Sequence, residues 1–243
     1  MQTIIIKKSK GVAKKYFIEA LNQPELDFVL KDLELPMELA SRRKKINTSW
    51  KRFFSYSEYK LTHLAYKTFN KYYKRASDDI KIIYEWLNKN NSLWDTAHSI
   101  IPTITKIPWK RTVIINVVFG RWAAADKNQV YIGMRPFSFL ENPQSSIVLH
   151  EMLHVNIEGR MPSYLSHPHK TEELVVTLFT RQLIKTLQEK NNIIIPDHTP
   201  DASYGDFSVK IMDNIEEFDA LAKQSESIFD LARKIDKYFY KSN

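Results

Sequence analysis

The 243-residue sequence predicts an α+β chain, mainly helical, with a small sheet immediately ahead of one of its helices. Three observations carry this. Apolar residues recur at helical spacing through most of residues 12–100 and again beyond residue 143. Between these stretches lie two short segments rich in β-branched residues, 112–119 and 129–134. A hydrophobic fraction of 43%, with 12% aromatic residues, supplies a core and excludes a disordered chain.

At the N-terminus, Ile4, Ile5 and Ile6 are followed by Lys7, Lys8 and Lys10. A secretory signal has the opposite order, a positive segment and then ~7–15 apolar residues, so export by that route is not expected. The longest apolar runs, such as Val113 to Phe119 broken by Asn116, fall far short of the ~20 residues that span a bilayer. A soluble, cytoplasmic chain with no membrane partner is the expectation.

Pro24 and Pro36 read as helix starts or breaks. From Ser57 to Arg75, Leu61, Leu64, Ala65, Phe69 and Tyr72 recur on one face of a helix, and Asn88–Asn91 reads as a polar turn. Thr112–Phe119 and Gln129–Met134 are the candidate strands, joined by a connection from Gly120 to Asn128. Asn142 as cap and Pro143 at the first position open the next helix, which continues from Ser146 to Ile157. Further helices fit Thr171–Gln188, Phe207–Ala222 and Glu226–Tyr240. The expected organisation is a basic helical region over residues 1–100 and a second domain over 101–243.

The net charge of +8 is unevenly placed: residues 1–75 hold 17 Lys and Arg against 7 Asp and Glu, and the remainder is slightly acidic. Cations interleave with aromatics in Lys71-Tyr72-Tyr73-Lys74-Arg75, which permits contact with a polyanion through residues 1–75. The same lysines also fit the solvated side of an amphipathic helix. The absence of cysteine excludes disulfides, thiolate metal sites and cysteine nucleophiles, so any metal must rest on His, Asp or Glu. With five glycines there is no Gly-rich phosphate loop.

The chemistry is concentrated in His150-Glu151-Met152-Leu153-His154, an HExxH pattern. Two histidines four apart project from one face of a helix, so both imidazoles reach one tetrahedral Zn²⁺. Glu151 is rotated about 100° from His150. That places it not as an equal ligand but as a general base toward water activated by the metal.

Two strands, a helix bearing this pattern and a second helix to follow resemble the zincin metallopeptidases over about residues 112–185. The metzincin extension would require glycine at position 157 and histidine at 160, where the chain has Ile157 and Arg160. The gluzincin branch instead takes a glutamate from the following helix about 18 residues after the second histidine. Eighteen residues, 155–172, separate His154 from Glu173. The resemblance therefore implies a zincin-like fold, Zn²⁺ held by His150, His154 and Glu173, Glu151 as the catalytic base, and a peptide or protein substrate.

Glu172 is the neighbouring alternative for the third ligand. Glu173 is preferred because Val176, Thr177, Phe179 and Thr180 follow it as in the Glu-x-x-Ala-Asn-x-Phe-Ala pattern of one intracellular branch, with Thr177 one turn on as a small polar partner. Gluzincins often carry an acidic residue there. In the loop between the two helices, Tyr164, His167 and His169 are candidates to stabilise an oxyanion, and either histidine to replace the third ligand; Tyr204 is a further candidate donor. The strand Gln129–Met134 is expected to be an edge able to pair with an extended substrate. The alternative function is a non-catalytic, zinc-stabilised protein whose basic N-terminal region binds a protein or nucleic-acid partner.

Overall fold

The computed structural model describes residues 4–22, 39, 56–109, 111–118, 123–133, 144–157, 160–191, 193–196 and 206–240. Pro24, Pro36, the basic run Arg42–Lys45, the Asn142–Pro143 helix start and Tyr204 lie outside the described residues. The chain is mostly helical with a small mixed sheet, an α+β arrangement.

The sheet has the order β1-β2-β4-β3, with β1 Ile4–Lys8, β2 Val113–Val117, β3 Ala123–Asp126 and β4 Gln129–Ile132. β1 and β4 flank β2 in parallel, and β3 runs antiparallel to β4. The register puts Ile4 beside Val113, Ile6 beside Ile115, and Val130 and Ile132 beside Ile115 and Val117. Since strand side chains alternate, these residues share one face, and Ile4, Val113, Ile115, Val117, Val130 and Ile132 are buried there.

Two features depart from the expected sheet. The isoleucines near the N-terminus form a strand whose partner lies at Val113, so the sheet draws on both sides of the division expected at residue 100. The strand expected to be a free edge, Gln129 onward, is paired on both sides; the edge is β3, within the segment read as a connection. Ala123-Ala-Ala-Asp126 carries little strand propensity of its own. It is held extended by pairing to β4 across a tight turn in which Lys127 takes a left-handed φ of 55°.

The helices are α1 Lys10–Asn22, α2 Tyr56–Arg75, α3 Ser77–Lys89, α4 Asn91–Thr105, α5 Gln144–Ile157, α6 Pro168–Asn191, α7 Asp206–Asp213, α8 Ile215–Lys223 and α9 Ile228–Tyr240. The expected helix 207–222 is two helices broken at Asn214, whose side-chain amide donates to the Lys210 carbonyl at 2.9 Å, a local bond that competes with helix continuation. The polar turn near Asn90 is present, with the Asn90 N–H closing α3 on the Trp86 carbonyl.

Helix α6 is the centre of the helical layer and packs against α4, α5, α8 and α9. Its long uninterrupted burial, Leu174 through Arg181 and then Leu183, Ile184 and Leu187, is that of a helix enclosed on nearly all sides. The exception in character is Arg181, whose guanidinium meets the Asp219 carboxylate of α8 through Nε at 3.1 Å and Nη2 at 3.2 Å, joined by Lys185 Nζ at 2.7 Å. Burial pushes the Asp219 carboxyl up, but the hydrogen bonds from Arg181 and Lys185 outweigh it and hold the group below the usual range.

Removing one partner of a buried pair leaves the other charge without compensation, so Asp219→Ala is expected to cost about 3–5 kcal/mol in urea unfolding. Because the folded carboxyl is the stronger acid, its stabilisation is complete above about pH 4 and is lost as pH falls through the native value. The wild type should therefore lose stability on acidification more steeply than Asp219→Asn; parallel pH profiles would refute the assignment.

Helix α5 packs against β3, β4, α4 and α6. Its far end is anchored by the buried Asn156, which accepts from Thr105 Oγ1 at 2.8 Å and donates to the Ile107 carbonyl at 3.0 Å. These bonds restrain the rotation of α5 and hence the direction of its polar residues. No helix among the described residues is long and apolar enough to cross a membrane.

Candidate metal centre

Helix α5 buries its own Val148, Leu149, Met152, Leu153, Val155 and Ile157, so polar side chains set among them carry a desolvation cost that needs a partner to offset it. His150 and His154 stand one turn apart with ring centroids 4.7 Å from each other. From α6, Glu173 reaches both. His150 Nε2 to His154 Nε2 is 3.1 Å, and Glu173 Oε2 lies 3.3 Å from each of those nitrogens. The three side chains are 12%, 12% and 18% exposed, so the cluster is shielded but open to solvent on part of its surface.

A triangle of this size has a direct meaning. At Zn–N and Zn–O bond lengths of about 2.0–2.1 Å, the ligands of a tetrahedral ion are about 3.3 Å apart. The three atoms are thus spaced as three ligands of one tetrahedral metal ion would be. Among the described residues this is the one group of three His, Asp or Glu side chains with atoms close enough for a shared ion.

Glu172 has a separate place. Its Oε1 lies 2.9 Å from His154 Nδ1, on the opposite side of the ring from Glu173. When the ring gives up its Nε2 proton to a metal, an Nδ1–H donated to this carboxylate would leave the Nε2 lone pair directed into the triangle. Adjacent helical residues are about 100° apart, and here the two carboxylates straddle one imidazole. Glu172 is thus not a rival ligand but the partner of His154 Nδ1, the place expected of Thr177, which is buried one turn further along α6. The signal was present in the doubled glutamate, which offers one carboxylate for each nitrogen.

The electrostatics favour a cation at the centre of this cluster. Burial lowers the basicity of His154, yet hydrogen bonds to Glu172 and Glu173 outweigh it and lift its pKa to about 10. Burial raises Glu173, yet bonds from His150 and His154 hold it far below the usual carboxylate range. Both shifts express one demand, positive charge among three carboxylates. The third is Glu151, 9% exposed, which burial pushes up to about 7, with the His154 charge opposing and the Glu173 charge adding. Among the described residues no hydrogen bond or ion pair engages the Glu151 carboxylate, although it is close enough to feel both neighbours. A buried carboxyl with near-neutral proton affinity, engaged by no hydrogen bond among the described residues, suits proton transfer.

The loop joining α5 to α6 is tied down by Asp236 of α9, which accepts from the Ser166 backbone N–H at 2.7 Å and from Ser166 Oγ at 3.3 Å. Tyr164, at 61% exposure, His167 and His169 are all exposed, and neither histidine joins the metal-spaced group. Pro168 occupies the first position of α6, where its missing N–H costs nothing. Comparison with protein families, with curated proteins and with solved structures returns no match.

Proposed function

We propose that the chain is a zinc-dependent hydrolase of the zincin type, gluzincin-like in its ligand set, and that it cleaves peptide bonds. The observation that carries this reading is the spacing of His150 Nε2, His154 Nε2 and Glu173 Oε2 as three corners of a metal tetrahedron, with the buried Glu151 carboxyl beside it. Zn²⁺ bound there would supply Lewis acidity, polarising a carbonyl and acidifying water. Glu151 takes the proton of the attacking water and delivers it to the leaving amine. Glu172 holds His154 in the tautomer that coordinates through Nε2. The edge strand β3, packed beside α5, offers its backbone to an extended peptide, which favours a peptide over a compact small molecule.

Metal analysis tests the proposal. The purified chain is expected to carry about one equivalent of zinc, and His150→Ala, His154→Ala and Glu173→Ala to carry little. Zinc retained in full by His150→Ala would refute it. Glu172→Gln gives a subtler outcome, since it removes the carboxylate charge that faces His154 Nδ1 and leaves every ligand in place. Its zinc affinity, measured by competition with a chromophoric chelator, should fall about 10–100-fold while saturating zinc still restores one equivalent. Unchanged affinity would deny Glu172 this part.

A further inference from the structure

A second surface lies at the far edge of the sheet from the site helix. Helix α5 packs on β3 and β4, whereas β1 is the opposite edge, about 14 Å away across three strand spacings. From β1 the chain passes directly into α1, and α1 packs on α2. Neither Ile4–Ile18 nor Tyr59–Ser77 contains a single Asp or Glu, while Lys7, Lys8, Lys10, Lys14, Lys67, Lys71, Lys74 and Arg75 fall within them.

The fold aligns these cations. Lys14 lies over the Tyr66 ring at 4.6 Å, Lys10 over Tyr73 at 5.6 Å and Lys8 over Tyr84 of α3 at 5.4 Å. Lys71 and Arg75 lie 5.6 Å and 5.9 Å from the Tyr72 ring. Each cation is thus partly positioned on an aromatic face before any partner arrives, which lowers the ordering cost of binding. Lys67 and Lys74 follow Tyr66 and Tyr73 by one residue, about 100° round α2, and are exposed. The row over the rings therefore continues across the open side of α2 and stops at Asp78 and Asp79, where α3 begins. Among the described residues no carboxylate forms an ion pair with Lys8, Lys10, Lys14, Lys67, Lys71, Lys74 or Arg75.

We propose that this face of β1, α1 and α2 binds the phosphodiester backbone of nucleic acid. An anionic bilayer has the same charge, but stable peripheral attachment takes a second, apolar anchor. None of the exposed large hydrophobic residues among those described belongs to β1, α1 or α2. Backbone contact through lysine is sequence-independent and strongly salt-dependent.

The test is fluorescence anisotropy of a labelled 20-base-pair duplex of arbitrary sequence titrated with the full chain at 50–200 mM KCl. Binding should weaken by about 10³-fold over that range, the counterion release of roughly six phosphate contacts. The variant Lys67→Glu/Lys71→Glu/Lys74→Glu should lose at least about 10-fold in affinity at 50 mM and show a shallower salt slope by about 2.7, or 0.9 per contact. Lys190→Glu/Lys210→Glu/Lys223→Glu alters net charge equally on exposed positions elsewhere and should bind as wild type. Unchanged circular dichroism and metal content in both variants keep this outcome separate from the fate of the hydrolase reading. The proposal is overturned by absence of binding at 50 mM, by equal losses in both variants, or by binding to phosphatidylserine vesicles without binding to the duplex.

Discussion

Glu151→Gln is expected to keep zinc at about one equivalent and to lower turnover by at least about 10²-fold. Glutamine preserves shape and hydrogen-bonding capacity but cannot take a proton from water at neutral pH. Glu151 is also outside the metal-spaced triangle, so its loss removes no corner of the tetrahedron. The neutral amide also avoids the cost of burying a charge, which is the largest influence on the Glu151 carboxyl. Folding should survive for the same reason. Activity is sought first with an unfolded, casein-like protein and short peptide libraries, with and without chelator. A chelator-sensitive hydrolysis unaffected by Glu151→Gln would refute the proposed base; loss of zinc in that variant would instead make Glu151 a ligand and favour the non-catalytic alternative.

Stripping the metal should have a comparably large effect on stability. The triangle forms only when α5 and α6 are packed, so an ion bound there favours the folded chain; at a free concentration 1,000 times its dissociation constant the gain is about 4 kcal/mol. For a domain of this size that corresponds to a drop of roughly 10 °C in Tm on chelation. His154→Ala should lower Tm without chelator and show no further change when chelator is added, since the ion it would remove is already absent. A wild-type Tm indifferent to chelator would count against metal occupancy of the cluster. An unchanged Tm in Asp219→Ala, by contrast, would bear only on the link between α6 and α8 and leave the site untouched.

Much of this was legible in the residues because it is local. The HExxH spacing and the helical period place His150 and His154 on one face whatever surrounds the helix. The amphipathic repeat of Leu61, Ala65, Phe69 and Tyr72 marks α2, and the β-branched run at Val113–Val117 marks β2. The count of eighteen residues to Glu173 came from resemblance, since spacing along a chain through a loop does not specify a distance in space.

Tertiary structure alone decided the remainder. Which of two adjacent glutamates enters the triangle depends on the rotation of α6 against α5, and that is set by the enclosed packing of Leu174 through Phe179. The three isoleucines near the N-terminus are a strand because Val113–Val117 offers them a partner, and the alanines of β3 are extended because β4 holds them. The alignment of Lys8, Lys10 and Lys14 over tyrosines from α2 and α3 likewise required two distant segments to meet. In each case a contact between residues far apart in the chain outweighed a weak local preference, and a sequence read in local windows has no access to that term.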